Sequence, residues 1–163
     1  MKIALLSDVH DNTNNLLLAL HQAKEAGCCR LFYLGDIVET ATLHLMLDEW
    51  QLPADIIFGN NEYQRATHQQ ITKQFSEAKH HGYEAVLNVD GRNIYFTHLP
   101  YQIANKAESG KYHAVFYGHT HVAESNTHMG TLIANPGEVG GVRRPPQFAV
   151  YETATNSITF YKI

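Results

Sequence analysis

No stretch of this chain is long and apolar enough to span a bilayer, so neither a membrane-spanning protein nor a membrane partner is expected. The first apolar run ends at Ser7 and Asp8, which leaves no signal-peptide core. Cysteine is scarce too. The only two, Cys28 and Cys29, are adjacent, which rules out an ordinary structural disulfide and zinc-knuckle spacing. They read as buried or half-buried free thiols and suit a reducing cytoplasm. Positive charge is thin: 12 Lys and Arg against 16 Asp and Glu give a formal net charge of −4, and Arg143-Arg144 is the one basic pair. Proteins that grip duplex nucleic acid by its phosphates carry a basic face, so no such partner is expected. Repeats, low-complexity tracts and linkers are missing as well. Residues 1–163 therefore read as one domain.

What is present looks globular, with 44% hydrophobic and 17% charged residues. A chain of this length buries roughly 70% of the surface it exposes when unfolded, enough for a core without staples. Lys2 to Ser7 reads as a buried strand. Leu16, Leu17, Leu20 and Ala23 follow at helical spacing, with Asn12 or Thr13 as cap and Gly27 as stop. Strands at Arg30–Leu34 and Asp55–Phe58 flank a helix from about Thr40 to Trp50, which Pro53 ends. A further helix is expected from Thr67 to His80, with His80-His81 at its end. The first half thus alternates strand and helix, the pattern of a parallel sheet. The second half turns to hairpins: strands at Tyr83–Val89 and Asn93–Thr97 joined through Asp90-Gly91-Arg92, then a short helix at Ile103–Glu108. Strands follow at Ala114–Tyr117, Val122–Ser125, Thr131–Ala134, Phe148–Thr153 and Ser157–Ile163. Two packed sheets with helices outside are expected.

Eleven histidines are many for such a chain, and several fall directly after strands. The strand ends deliver Asp8-Val9-His10, Gly35-Asp36, Gly59-Asn60-Asn61-Glu62, His98 and Gly118-His119-Thr120-His121. Functional loops of parallel sheets lie beyond the carboxyl ends of their strands. In an extended segment, residues two apart share a side, so Asp8 with His10, and His119 with His121, would each face one centre. Mixed imidazole and carboxylate donors suit Zn, Mn, Fe or Ni better than Ca or Mg. Glycines at 35, 59 and 118 allow close backbone approach. Singly these are ordinary turn sequences; five in order at strand ends point to a metal site.

The series D-x-H, G-D, G-N-x-E, T-H and G-H-T-H resembles the calcineurin-like metallophosphoesterase superfamily, and Asn135-Pro136-Gly137 resembles its small bacterial and archaeal phosphodiesterase branch. The resemblance implies an α/β fold, a four-layer α-β-β-α sandwich of two mixed sheets with helices outside. It implies two divalent transition-metal ions (Mn, Ni, Zn or Fe): one on Asp8, His10, Asp36 and His121, the other on Asp36, Asn60, His98 and His119, with Asp36 shared. His119 and His121 would then serve different ions. A hydroxide bridging the ions would attack the phosphorus of a small phosphate ester in line. Asp36, Asn61 and His98 are the expected catalytic residues, and Asn61 and Arg143 the expected substrate contacts.

Two departures matter. Many members carry His where Asn61 stands, and Asn cannot donate a proton to a leaving group. The small branch commonly shares this departure, which favours a phosphodiesterase. After His98 comes Leu99-Pro100 where Gly and another His are frequent, which bears on the substrate pocket. Glu138, where Ser is frequent, is expected to add negative charge near the site and disfavour highly charged substrates. Asp11 and Asn12 are expected to cap the first helix rather than support the ligands, and His21, His44, His68, His113 and His128 are assigned no function. Competing readings are a phosphomonoesterase, a nuclease for short or cyclic diesters, and a non-catalytic protein-interaction scaffold, as in a eukaryotic coat-complex subunit of this fold. Against the scaffold stands the full set of competent donors. Assembly of identical copies is compatible with the sequence.

Overall fold

The computed structural model describes residues 1–163. The chain runs β1 (Lys2–Leu6), α1 (Thr13–Glu25), β2 (Arg30–Tyr33), α2 (Thr40–Trp50), β3 (Ala54–Ile56), α3 (Arg65–Thr72), β4 (Ala78–His80), β5 (Glu84–Val89) and β6 (Arg92–Thr97). A 3-10 turn at Pro100–Gln102 leads into α4 (Ile103–Glu108), followed by β7 (Ala114–Phe116), β8 (Glu124–His128), β9 (Thr131–Asn135), β10 (Gln147–Glu152) and β11 (Ser157–Lys162). Asn12 caps α1, its side-chain oxygen accepting from the Asn15 N–H at 3.2 Å. Asp90 and Gly91 both take positive φ, 50° and 76°, as a two-residue hairpin turn between β5 and β6 requires.

Six strands form one sheet in the order β11-β10-β1-β2-β3-β4, and five form a second in the order β5-β6-β7-β9-β8. Both are mixed. β1 to β4 are parallel to one another, β10 and β11 antiparallel; β6, β7 and β9 are parallel, with β5 and β8 antiparallel at the edges. Alternate residues of the central strands are buried on opposite faces. Ala4, Leu6, Leu31 and Tyr33 pack with Leu16, Leu20, Met46 and Trp50 of α1 and α2. Ile3, Leu5 and Phe32 face the other way and meet Ile94, Phe96 and Phe116 of the second sheet. Beyond that sheet, Tyr95, Val115 and Ile133 pack with Ala107 of α4. These are the four layers of an α-β-β-α sandwich, as expected. No helix is long and apolar enough to cross a membrane.

Two elements differ from expectation. The helix expected to reach His80 stops at Thr72, and Ala78, Lys79 and His80 instead pair in parallel with Ala54, Asp55 and Ile56. The free edge of β3 offers backbone partners that outweigh helical continuation, and Phe75 packs against the core as the chain turns back. His80 and His81 therefore lie at the end of a strand. His80 packs against Phe58 with centroids 4.0 Å apart and the rings tilted by 44°, and His81 Nε2 meets Asp55 Oδ1 at 2.7 Å. The strand expected at 122–125 forms at Glu124–His128, where every residue is exposed. An edge strand with no buried face leaves no apolar alternation to set its register. Cys28 is buried, which pushes its thiol up to about 11, whereas Cys29 is exposed rather than half-buried.

The two sheets are joined most directly by Phe32 and Phe96, both fully buried and stacked with centroids 4.7 Å apart. Phe32→Ala should therefore destabilise the protein by about 3–5 kcal/mol, with a large drop in the urea midpoint. A change below about 1 kcal/mol would mean that the inter-sheet core does not depend on this pair.

Candidate metal centre

The parallel strands β1, β2, β3, β6, β7 and β9 bring the loops after their carboxyl ends to one rim. Two clusters form there. Potential donor atoms of Asp8, His10 and His121 lie within 4.8 Å of one another, and so do those of Asp36, His98 and His119. Asn60 joins the second cluster, its Oδ1 lying 3.1 Å from His98 Nε2. Asp36 Oδ2 lies between the two, 3.8 Å from His10 Nε2 and 3.4 Å from His98 Nε2.

The backbone that presents these side chains is not extended. Asp8, His10, Asp36, His119 and His121 have φ of 56°, 45°, 63°, 68° and 62°. Left-handed backbone is uncommon for residues with a Cβ and persists where surrounding structure over-determines it. Strand alternation therefore does not explain why Asp8 and His10 converge, and it fails for His119 and His121, which go to different clusters. The strained turns are held by hydrogen bonds between loops. The Asp8 N–H donates to Gly35 O and the His10 N–H to Asp36 O, both at 3.0 Å. From the other sheet, the His119 N–H donates to Asp8 Oδ2 at 3.0 Å, and the Gly118 N–H donates to His98 O at 3.0 Å. Two glycines permit this crowding: a Cβ on Gly59 would lie 2.1 Å from Asp36 Oδ1, and one on Gly118 would lie 2.1 Å from Ser7 Oγ.

Hydrogen bonding fixes which atoms face inward. Asp8 is fully buried, with Oδ2 accepting from Ser7 Oγ at 2.6 Å, while its Oδ1 and His10 Nε2 have no hydrogen-bond partner. Those unpaired atoms lie 3.8 Å apart, and His121 Nε2 lies 3.5 Å from the same Asp8 Oδ1. That is too long for hydrogen bonds. Donors each about 2.0–2.2 Å from a shared ion stand roughly 3.0–3.5 Å apart, so a small closure onto a divalent ion fits the spacing. Burial raises the Asp8 carboxyl above its usual range. Burial acts the same way on Asp36 but is outweighed by His98 and by the two Asn61 donors, which hold that carboxyl well below the usual range. For His98, burial opposes a charge, yet the neighbouring carboxylates of Asp36 and Asp8 raise its pKa. Burial and the neighbouring His98 lower that of His119.

The other sequence candidates are placed differently. Asn61 turns both donors onto Asp36, its backbone N–H on Oδ1 at 2.8 Å and its Nδ2 on Oδ2 at 2.6 Å. The Arg143 side chain is exposed, and its backbone N–H is committed to Glu138 Oε1 at 2.6 Å. Glu138 does not bring free negative charge to the site. It is fully buried, accepts from His121 Nδ1 at 2.6 Å, and also accepts from the backbone N–H groups of Val142, Arg143 and Arg144. Burial would raise its pKa, but His121 and these donors lower it.

Two supporting residues carried only part of a sequence signal. Glu62, the last residue of Gly59-Asn60-Asn61-Glu62, is buried and bridges loops, accepting from the Ile37 and Gly59 N–H groups at 2.7 Å each. Asn135 is fully buried; its Nδ2 donates to Gly118 O at 2.8 Å and to Thr120 Oγ1 at 3.0 Å, bracing the turn that carries His119 and His121. His68 is buried as well, but its Nε2 contacts Val38 O at 3.1 Å, away from the two clusters.

The chain is similar to known proteins to different depths. The phosphodiesterase MJ0936 of Methanocaldococcus jannaschii is 29% identical over 145 residues, covering 86% of each chain. A solved structure described as a novel archaeal phosphodiesterase superposes with a TM-score of 0.92 at 23% identity, over 100% of both chains. Vps29 from Entamoeba histolytica, solved with zinc, superposes at 0.70 with 14% identity, over 100% of this chain and 98% of the other. At that level the two structures share the fold alone. Residues 1–156 match the calcineurin-like phosphoesterase superfamily domain, a span that takes in every strand end bearing a candidate donor. On that match the chain belongs to the calcineurin-like phosphoesterase superfamily.

Proposed function

We propose that this protein is a phosphodiesterase that works at a dinuclear centre, with one divalent transition-metal ion on Asp8, His10, Asp36 and His121 and another on Asp36, Asn60, His98 and His119. Mn, Ni, Zn and Fe all suit this donor set. The observation that carries the reading is the position of Asp36 Oδ2, which faces both His10 and His98 across distances too long for hydrogen bonds. When bound, divalent ions held by these residues would supply Lewis-acid polarisation of phosphoryl oxygens and a water nucleophile available near neutral pH.

The chain's own groups prepare for this. His98 Nδ1 is engaged by Leu34 O at 2.7 Å, which puts the proton on Nδ1 and turns the Nε2 lone pair toward Asp36 and Asn60. Glu138 does the same for His121, accepting the Nδ1 proton so that Nε2 faces Asp8. Asn61 fixes both oxygens of Asp36. Because its amide is spent there and carries no acidic proton, the site lacks a leaving-group acid at this position. Asp8 and Asp36 carry two negative charges against four from two divalent ions, and neutral Asn60 preserves a positive surplus that attracts a small phosphate ester.

Metal analysis joined to assays on an aryl phosphodiester, with Mn, Ni, Zn, Fe or Mg restored to stripped protein, tests the centre. Wild type should hold two ions and respond to the transition metals, while Asp36→Asn and His98→Ala should be nearly inert. Full activity in Asp36→Asn would refute the shared-carboxylate assignment.

The missing acid makes the rate depend on the leaving group. A series of aryl and alkyl diesters should show rates that fall steeply as leaving-group pKa rises, with monoesters slower than matched diesters. A flat plot would count against this role for Asn61.

Glu138→Ala should weaken metal affinity or activity by roughly 10- to 100-fold, measured by competition with a chelator as well as by turnover. Glu138→Gln keeps an acceptor for His121 but turns a donor toward the 142–144 backbone, and should fall between Ala and wild type. Wild-type affinity in both variants would remove Glu138 from the centre.

A further inference from the structure

Beside the second cluster opens a cleft of about 190 Å³ that shares Asn60 and His98 with it. Its remaining walls are of another kind. Phe58, 4% exposed, packs against the His80 ring with centroids 4.0 Å apart, and Tyr83, 59% exposed, stands 5.5 Å from it. The Arg65 guanidinium lies over both rings, 5.8 Å from the Phe58 centroid and 5.3 Å from that of Tyr83. Leu99, which follows His98 directly, lines the cleft too.

From this geometry we infer that the cleft is a subsite for a planar aromatic group on one arm of the ester, stacked against Tyr83 and Arg65 while its phosphate lies at Asn60 and His98. The inference rests on the phosphoesterase reading above and adds the substrate class. Three observations support it. Arg65 is a cation beside the site, and its guanidinium already lies over aromatic faces, an arrangement that a further flat ring can extend. A largely exposed tyrosine beside a buried aromatic floor offers a stacking surface that needs no base-specific hydrogen bonds. The volume lies below the roughly 300–1,000 Å³ typical of sites that enclose whole drug-sized molecules, so it suits a single ring. Arg65, which lines this cleft as Arg143 does not, is the cation that it offers a substrate.

Affinity is the appropriate readout, because leaving-group acidity alone already favours aryl esters in rate. Inhibition constants on the metal-loaded protein would be measured for phenyl phosphate against methyl phosphate, and for uridine 5′-monophosphate against ribose 5-phosphate, with inorganic phosphate as reference. The first pair reports a ring borne directly on the ester oxygen, the second a base carried through a sugar. Wild type should prefer the ring-bearing member of at least one pair by on the order of tenfold. That ratio should fall toward one in Tyr83→Ala and Arg65→Ala and persist in Tyr83→Phe. Phosphate binding without any ring preference, or a preference unchanged in both alanine variants, would overturn the subsite alone. Failure of phosphate and all four esters to bind would overturn the subsite together with the phosphoesterase reading.

Discussion

Among the hydrogen bonds that cross from one sheet to the other at the rim, two position the site most directly. His98 Nδ1 of the second sheet meets Leu34 O of the first at 2.7 Å, and the His119 N–H meets Asp8 Oδ2 at 3.0 Å. Each joins the end of one parallel strand to the end of another across the inter-sheet core. They form only because Phe32, Phe96, Phe116 and their neighbours set the spacing of the sheets. A cluster of buried carboxylates and imidazoles is costly to assemble in a low-dielectric interior. Here the aliphatic and aromatic layers beneath it fix the geometry, and the polar rim follows.

Around the clusters lies a ring of groups whose work is positional. Glu62 fastens the loop after β2 to the loop after β3, Asn135 braces the turn after β7, and Glu138 ties the 142–144 backbone to the His121 ring. Five donor residues hold left-handed backbone conformations. These bonds make such strain sustainable, and the strain in turn lets Asp8 and His10 converge over a very short stretch of chain. Binding chemistry and backbone restraint are therefore hard to separate: Glu138 both selects the tautomer of His121 and shapes the loop bearing Arg143.

How much the sequence revealed varied with the physical origin of each feature. Buried strands and amphipathic helices were legible, since apolar periodicity reports which face is covered. The stretch from Thr72 to His80 was not, because pairing of Ala78–His80 with β3 depends on an edge elsewhere in the sequence. The exposed strand Glu124–His128 was misplaced for a related reason, having no buried face to mark it. Glu138 was visible as a residue and misread as a charge; only its contacts with His121 and three backbone N–H groups show that the charge is absorbed.

By itself the sequence determined the donor types, their order and their attachment to strand ends, since a short apolar run followed by Asp, Asn or His is a local property of the chain. Tertiary structure decided how those donors are grouped. His119 and His121 lie two residues apart yet join different clusters, because a left-handed turn rather than an extended segment carries them. Asp36 lies between the clusters because Asn61 and Gly59, neighbours in space and not in sequence, fix its carboxylate. Arg65 likewise reaches the cleft beside Asn60 and His98 through its packing over Phe58 and Tyr83, a contact made between separate elements that no local pattern encodes.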